Sequence, residues 1–336
     1  MIKKDNFNKF LNRKFYFFAL LILLICFSFG CSSAGEKPVT KSKLVLNTFA
    51  TISIYDREKA SLANECLKKC EDYELIFSRT NPESELYRLN ASGSMEVSDD
   101  LLCVIKTGLR YGRLSNGSFD ITCGKLSDIY NFSSENPQLP ERAEIEEILK
   151  HIDYRNIEIE GNKVTLKDPE AEIDLGAIAK GYIADRLKDY LVENDAGSAI
   201  INLGGNVMLV GSKPDGSDFL VDLQYPFEDL TKPIGSLRAS DESVVTSGIY
   251  ERYFKQDGKL YHHILNPETG LPFENGLLAV SIVGPESQEC DVLSTVVFTL
   301  GFEKGMDLIN SLDNYRAVFI TDDYKLHYSD GFEQFE

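Results

Sequence analysis

From Leu44 to Tyr55, apolar positions alternate with polar ones (Val45, Leu46, Phe49, Thr51, Ile52, Ile54), the period of a half-buried strand. The period then lengthens. Between Lys59 and Ile76, Leu62, Cys66, Leu67, Cys70, Tyr73 and Ile76 recur at helical spacing. Pro82 and Ser84 signal a turn and a new helix start, and Ser98 to Leu114 is a further helix, broken by Asn116 to Gly124. Leu139 to Ile152 predicts an acidic helix, and Ile157 to Leu166 a hairpin around Gly161-Asn162. A helix over Ala177 to Asn194 leads to a strand, Ala199 to Val210, interrupted by Gly204-Gly205. Strands follow at 219–224, 235–239, 243–247, 250–256, 261–265 and 280–284, then helices at 289–300 and 305–311 and strands at 315–321 and 326–328. Helices mix with runs that suit antiparallel pairing and do not alternate strictly with strands. The class is α+β, with mixed, largely antiparallel sheets and flanking helices.

The first residues follow a different pattern. Lys3, Lys4, Lys9, Arg13 and Lys14 precede an almost unbroken apolar run from Phe15 to Phe29, short of the roughly 20 residues a spanning helix needs. The run ends at Gly30-Cys31-Ser32-Ser33, which reads as a lipoprotein-type secretory signal over residues 1–30, with Cys31 as the lipidated residue. An uncleaved anchor would leave the domain on the same side of the membrane. Residues 31–43 read as a polar linker and 44–336 as the catalytic body, long enough for a pocket between two lobes.

Charge narrows the chemistry. Removing residues 1–30 deletes five bases and one acid, which takes the formal net charge from −18 to −22. Such a body does not attract nucleic acid through general electrostatics, so an anionic ligand needs a local device: a metal, a lysine or backbone amides. Five of the seven cysteines lie in the body, an odd number that argues against a full disulfide framework.

Asp174-Leu-Gly-Ala-Ile-Ala-Lys-Gly-Tyr182 carries a carboxylate, an amine and two glycines. This composition suits backbone, Asp174 and Lys180 converging on a nucleotide, and equally suits a strand that ends in Asp and enters a helix. Asp291, Ser294 and Thr295 fall at i, i+3 and i+4 and share one helical face. Three such oxygens fit a hard cation completed by phosphate, or else a helix cap with hydroxyls bonding the preceding turn. His262 and His263 adjoin on a strand, so only one can enter a given site. That one is a candidate base or an ordinary buried histidine.

Asp174–Tyr182, Asn202-Leu-Gly-Gly-Asn206, Thr246-Ser-Gly-Ile-Tyr-Glu-Arg-Tyr-Phe254, His262-His-Ile-Leu-Asn-Pro-Glu-Thr-Gly270 and Asp291-Val-Leu-Ser-Thr295 occur in this order. With Phe77–Glu85 and Gly117-Ser-Phe-Asp120 they closely resemble the bacterial FAD:protein FMN transferases, the ApbE-type flavin transferases. The resemblance covers residues 44 to about 328. It implies a T-fold-like fold with the FAD pocket between two lobes. It also implies FAD as substrate, Mg²⁺ as cofactor, transfer of FMN to a Thr or Ser hydroxyl, and release of AMP. Carried onto this chain, Asp174 and Lys180 would bind FAD, with Leu46, Thr80, Ser118, Phe119, Asp120 and Ile264 lining the nucleotide. The Ala177 carbonyl, Asp291, Ser294 and Thr295 would hold Mg²⁺. His263, or less readily His262, would take the hydroxyl proton.

The implied partner is a membrane-bound redox subunit with a short motif ending in Thr or Ser, met on the extracytoplasmic face of a bacterial membrane. Leu46-Asn47-Thr48 departs from the family's usual Met-Gly-Thr, and Thr80 replaces a frequent aromatic residue. Two other readings share the motifs: a Mg²⁺-dependent FAD pyrophosphatase, and a non-enzymatic flavin-binding lipoprotein.

Overall fold

A computed structural model describes residues 37–132, 134–228 and 232–332. Residues 1–30, read as a signal, Cys31, read as the lipidated residue, and the segment up to Glu36, read as linker, lie outside the described residues. The body opens with a hairpin, where the hydrophobic alternation predicted one strand. β1 (Val39–Val45) starts inside the segment read as linker and pairs antiparallel with β2 (Thr48–Ile54), Val45 opposite Thr48. Leu46 and Asn47 between them both have positive φ, 57° and 55°, as a two-residue type I′ turn requires. Asparagine tolerates this region and leucine does not favour it, so the turn carries a weak sequence signal.

α1 (Leu62–Phe77), α2 (Glu85–Ser92), β3 (Ser94–Glu96) and α3 (Asp99–Leu114) follow. Two serines set helix starts: Ser84 Oγ accepts from Tyr87 N, and Ser98 Oγ from Leu101 N, each at 3.2 Å. Next come α4 (Gly124–Tyr130) and α5 (Arg142–Ile148). α5 is shorter than the predicted 139–152 because the chain tightens into a 3₁₀ turn over 149–151. β4 (Ile157–Glu160) and β5 (Lys163–Leu166) form the expected hairpin, with β3 as a third strand. α6 (Ala179–Glu193) leads into β6 (Ser198–Leu203) and β7 (Asn206–Gly211). These two are separate antiparallel strands, because Gly204 and Gly205, at φ 65° and 94°, turn the chain back instead of merely interrupting it.

β8 (Phe219–Gln224) pairs with β9 (Pro233–Ala239), and β10 (Ser243–Gly248) precedes the small hairpin of β11 (Tyr253–Gln256) and β12 (Lys259–His262). β13 (Leu277–Gly284), α7 (Ser287–Leu300), α8 (Phe302–Asn310), β14 (Arg316–Thr321) and β15 (Leu326–Tyr328) complete the body. The main sheet runs β1-β2-β6-β7-β10-β13-β14-β15, every neighbour antiparallel. Every residue of β13 is buried, since α7 covers one face of the sheet and the β8–β9 hairpin the other, where Phe219, Leu237, Val244, Val283 and Val318 pack. This explains its unbroken apolar run.

From Pro38 onward the chain forms one compact unit. The physical reason is the strand order: strands from both ends of the body share one sheet, and one hydrophobic core runs from Ile52 and Ile54 to Ala317 and Phe319.

Candidate active site

α6 and α7 approach each other at a glycine. A Cβ on Gly181 would lie 2.3 Å from the Ser287 carbonyl oxygen and 2.7 Å from Asp291 Cβ, so only glycine lets the helices come this close. At this crossing Gly181 N–H donates to Asp291 Oδ2 at 2.8 Å. In a regular helix it would bond the Ala177 carbonyl four residues back. Here it goes to the carboxylate, and the Ala177 carbonyl lacks its helical partner.

Asp291 is 5% exposed. Burial raises its pKa, while the Lys180 ammonium, the Gly181 N–H and the Asn206 side chain pull it down. Ser294 Oγ–H donates to the Asp291 carbonyl at 2.7 Å. Its single proton is therefore used, and Ser247 Oγ, 2.7 Å away, must donate to it; Ser247 also lies 3.1 Å from Thr295 Oγ1. Ser294 thus makes the backbone bond that any buried helical serine could make. Asp291 does not cap its helix. Asp185 of α6 fills that role, accepting from Ser287 N at 2.7 Å and Gln288 N at 2.8 Å.

The two histidines separate as the strand geometry requires. His262 Nε2 donates to the Phe273 carbonyl at 3.0 Å and its Nδ1 accepts from Ile264 N at 3.3 Å, so both ring nitrogens are tied to backbone. That removes His262 as an alternative base and makes it a structural ring. His263 Nδ1 is shielded and has no hydrogen-bond partner. Burial, with Arg252, His262 and Lys180 nearby, holds the His263 ring down to about 3, neutral at physiological pH. Glu251 is exposed at the surface, and partial desolvation of its carboxyl, with Asp291 nearby, raises it against the pull of Lys180 and Arg252.

The family model of the ApbE family matches residues 46–319. The chain belongs to the ApbE family. A Klebsiella pneumoniae (strain 342) relative, a FAD:protein FMN transferase, is 34% identical over 285 residues, covering 83% of this chain and 88% of the relative. A Treponema pallidum protein of the same name is 29% identical and covers 92% of each chain. The crystal structure of the ApbE protein of Thermotoga maritima superposes with a TM-score of 0.80 at 28% identity, over 88% of this chain and 97% of that one. Flavin transferase ApbE from Vibrio cholerae gives 0.75 at 27% identity, over 88% and 98%.

Of the remaining candidate residues in this ApbE-family chain, Ser118 reaches α7. Ser118 Oγ lies 3.2 Å from Thr299 Oγ1, one turn beyond Thr295 on α7. Phe119 is buried beside it. Asp120 is committed to its own loop: Oδ1 accepts from Thr122 N and Oγ1, and Oδ2 from Tyr154 N at 2.8 Å. It shapes the segment instead of presenting a free carboxylate. Asp174 N donates to the Ile121 carbonyl at 2.7 Å, which joins the two motifs. Thr80 is exposed beside Arg79, and Ile264 is buried after the histidines. Leu46 lies on the β1–β2 turn, against which the Gly204 turn packs so closely that a Cβ there would meet Thr48 Oγ1 at 2.0 Å. A strained leucine at this position is the kind of local cost that tends to accompany a ligand site.

Among the described residues, no cluster of three or more His, Cys, Asp or Glu side chains is placed to hold a metal ion. The candidate set is instead one carboxylate, two hydroxyls and a carbonyl, all hard oxygens that fit Mg²⁺ once phosphate oxygens complete the shell. A cavity of about 580 Å³ lies elsewhere, at the opposite end of β10 and β13, beside Glu242, Tyr315 and Arg316. Sequence reasoning assigned no role to Ser247, Asp185 or Arg79, and read Gly181 only as a glycine of close backbone approach. Ser247, Gly181 and Arg79 lie inside recognised motifs, whereas Asp185 acts through partners remote in sequence.

Proposed function

We propose that this chain transfers the FMN half of FAD, through its phosphate, to a Thr or Ser hydroxyl of an acceptor protein. As a member of the ApbE family the chain is a flavin transferase. The finer reading has the acceptor oxygen bond to the FMN phosphorus as the bond to AMP breaks, leaving a phosphoester and free AMP. What carries it is the buried Asp291 carboxylate between Lys180 and the Gly181 N–H. A carboxylate this buried carries a desolvation cost that a cation beside it offsets.

Asp291, Ser294, Thr295 and the Ala177 carbonyl would hold Mg²⁺, which when bound neutralises pyrophosphate charge. Lys180 adds a second positive charge from the N-terminal turn of α6, at the positive end of the helix dipole. His263, a neutral ring whose Nδ1 no other group engages, takes the hydroxyl proton. Leu46, Thr80, Ser118, Phe119, Asp120, Asp174 and Ile264 form the nucleotide surround. The chain acts outside the cytoplasm, anchored through lipid on Cys31, a reading supported by the basic and apolar leader that precedes it. Cys31→Ser should release the protein from membranes; unchanged membrane association of that variant would remove the lipid anchor.

The test combines purified protein, FAD and an acceptor subunit with a Thr-ending motif. Mass spectrometry should find covalent FMN on the acceptor, with AMP released in equal amount. EDTA should stop both and Mg²⁺ restore them. Rapid AMP and free FMN without any acceptor would favour the pyrophosphatase reading. No FAD turnover under any of these conditions would overturn both.

A further inference from the structure

Arg79 is the meeting point of three carboxylates. Its Nη1 and Nη2 fork onto Asp128 of α4 at 2.6 Å each, Nη1 also reaches Glu172 at 2.6 Å, and Nε lies 3.4 Å from Asp174 Oδ2. Its side chain is only 15% exposed. Three elements remote in sequence are drawn together: the 78–84 loop, α4 and the 172–174 segment. The loop is itself rigid, with Ser84 Oγ bonded to the Ser78 carbonyl, Asn81 N to Ser78 Oγ and Glu83 N to Asn81 Oδ1. The 172–174 segment is held from behind, as Gly124 N donates to the Glu172 carbonyl and Asp174 N to the Ile121 carbonyl.

From Asp174 a chain of polar contacts continues into the site. Asp174 Oδ1 accepts from Gly176 N at 2.8 Å, and the Gly176 carbonyl accepts from Lys180 Nζ at 3.0 Å. Guanidinium, carboxylate, backbone and ammonium are therefore linked in one line, from a loop more than ninety positions upstream to the amine beside Asp291. Lysine could supply the charge but not the planar fork that grips Asp128 while leaving Nε for Asp174.

We propose that Arg79 is a positioning residue: it orients Asp174, and through the Gly176 turn the Ala177–Lys180 start of α6, so that the loop is ready for an adenine or flavin nucleotide diphosphate before it arrives. Without Arg79, Asp128, Glu172 and Asp174 face one another uncompensated, and Asp174 turns away from Gly176 N–H. The inference rests on the flavin transferase reading above, because that reading supplies the ligand.

The experiment uses the mature protein with Arg79→Ala, Arg79→Lys and Asp174→Asn. FAD binding is measured by flavin fluorescence without metal and without acceptor, and KM for FAD and kcat are measured with both. Arg79→Ala should weaken FAD binding and raise KM at least tenfold, with kcat within about threefold. Arg79→Lys should recover only part of the loss. Asp174→Asn, which keeps the shape and removes one repelling charge, should be milder than Arg79→Ala. Equal KM and Kd in wild type and Arg79→Ala would overturn the inference, as would full recovery by lysine. If Arg79→Ala does not fold, Arg79→Lys and Asp174→Asn decide alone: unchanged KM in both removes the role. Wild-type protein that neither binds nor turns over FAD would instead overturn the functional reading.

Discussion

Gly181→Ala should damage this protein more than its exchange of one hydrogen for a methyl suggests. The new Cβ would stand 2.3 Å from the Ser287 carbonyl oxygen, 2.7 Å from Gln288 Cα and 2.7 Å from Asp291 Cβ. None of these atoms can rotate away, so α6 and α7 must separate. Reaching the 3.4 Å of ordinary contact from 2.3 Å takes an opening of about 1.1 Å. An opening of that size along the Gly181 N–Asp291 Oδ2 bond, now 2.8 Å, breaks it. Losing a hydrogen bond to a charged acceptor costs about 1.5–3 kcal/mol. Overpacking a buried contact adds about 1–3 kcal/mol, and the better helix propensity of alanine returns about 1 kcal/mol.

The net loss is about 2–5 kcal/mol, a shift of roughly 3–8 °C in Tm for a body of this size. Transfer should fall more than tenfold even at temperatures where the variant is folded, because Asp291 moves relative to Ala177. Differential scanning calorimetry and AMP release measure the two effects. Gly197→Ala, whose Cβ would meet nothing within 4 Å, is the control and should change little. A Gly181→Ala protein with Tm within about 2 °C of wild type and full transfer would refute the close helix contact as the device that places Asp291.

Lys180→Ala should lower kcat/KM for FAD by about a hundredfold while leaving urea stability within about 1 kcal/mol, since its one hydrogen bond is to the Gly176 carbonyl. The two histidines should separate cleanly. His262→Ala should cost about 2–4 kcal/mol of stability through its buried ring and two backbone bonds, and His263→Ala should cost transfer with little loss of stability. Near-normal transfer by His263→Ala would send the search for the base elsewhere. Asp185 supplies a pH signature. Burial raises its folded carboxyl to about 6, above the unfolded 3.8, so the folded state holds the proton more tightly. Its ionisation therefore works against folding above pH 6, and that penalty fades as pH falls from 6 towards 4. In urea unfolding, wild type should gain on Asp185→Asn by roughly 2–3 kcal/mol between pH 8 and pH 4; a difference independent of pH would mean that Asp185 is not shifted.

The α+β class, the helices at 99–114 and 179–193, and the hairpin at 157–166 were legible because each has a strong local cause: serine caps, helical periodicity, or a Gly-Asn turn. The β1–β2 hairpin was hidden because Leu46 sits in a backbone region that leucine seldom adopts. The order of strands in the main sheet was not legible, because it is a non-local choice that brings both ends of the body into one sheet.

By itself the sequence determined which residues could do chemistry. Asp174, Lys180, Asp291, Ser294, Thr295 and the paired histidines all stood out by type and spacing. Only the tertiary structure decided what each is free to do. His262 and Asp120 are engaged by backbone and hydroxyl groups, whereas His263 Nδ1 has no hydrogen-bond partner, and the Ala177 carbonyl loses its helical bond because Gly181 N–H finds Asp291 on another helix. The physical reason is that every buried polar group competes for partners across the fold. Spacing along a chain can nominate a ligand, but its free lone pairs are known only once all its neighbours are in place.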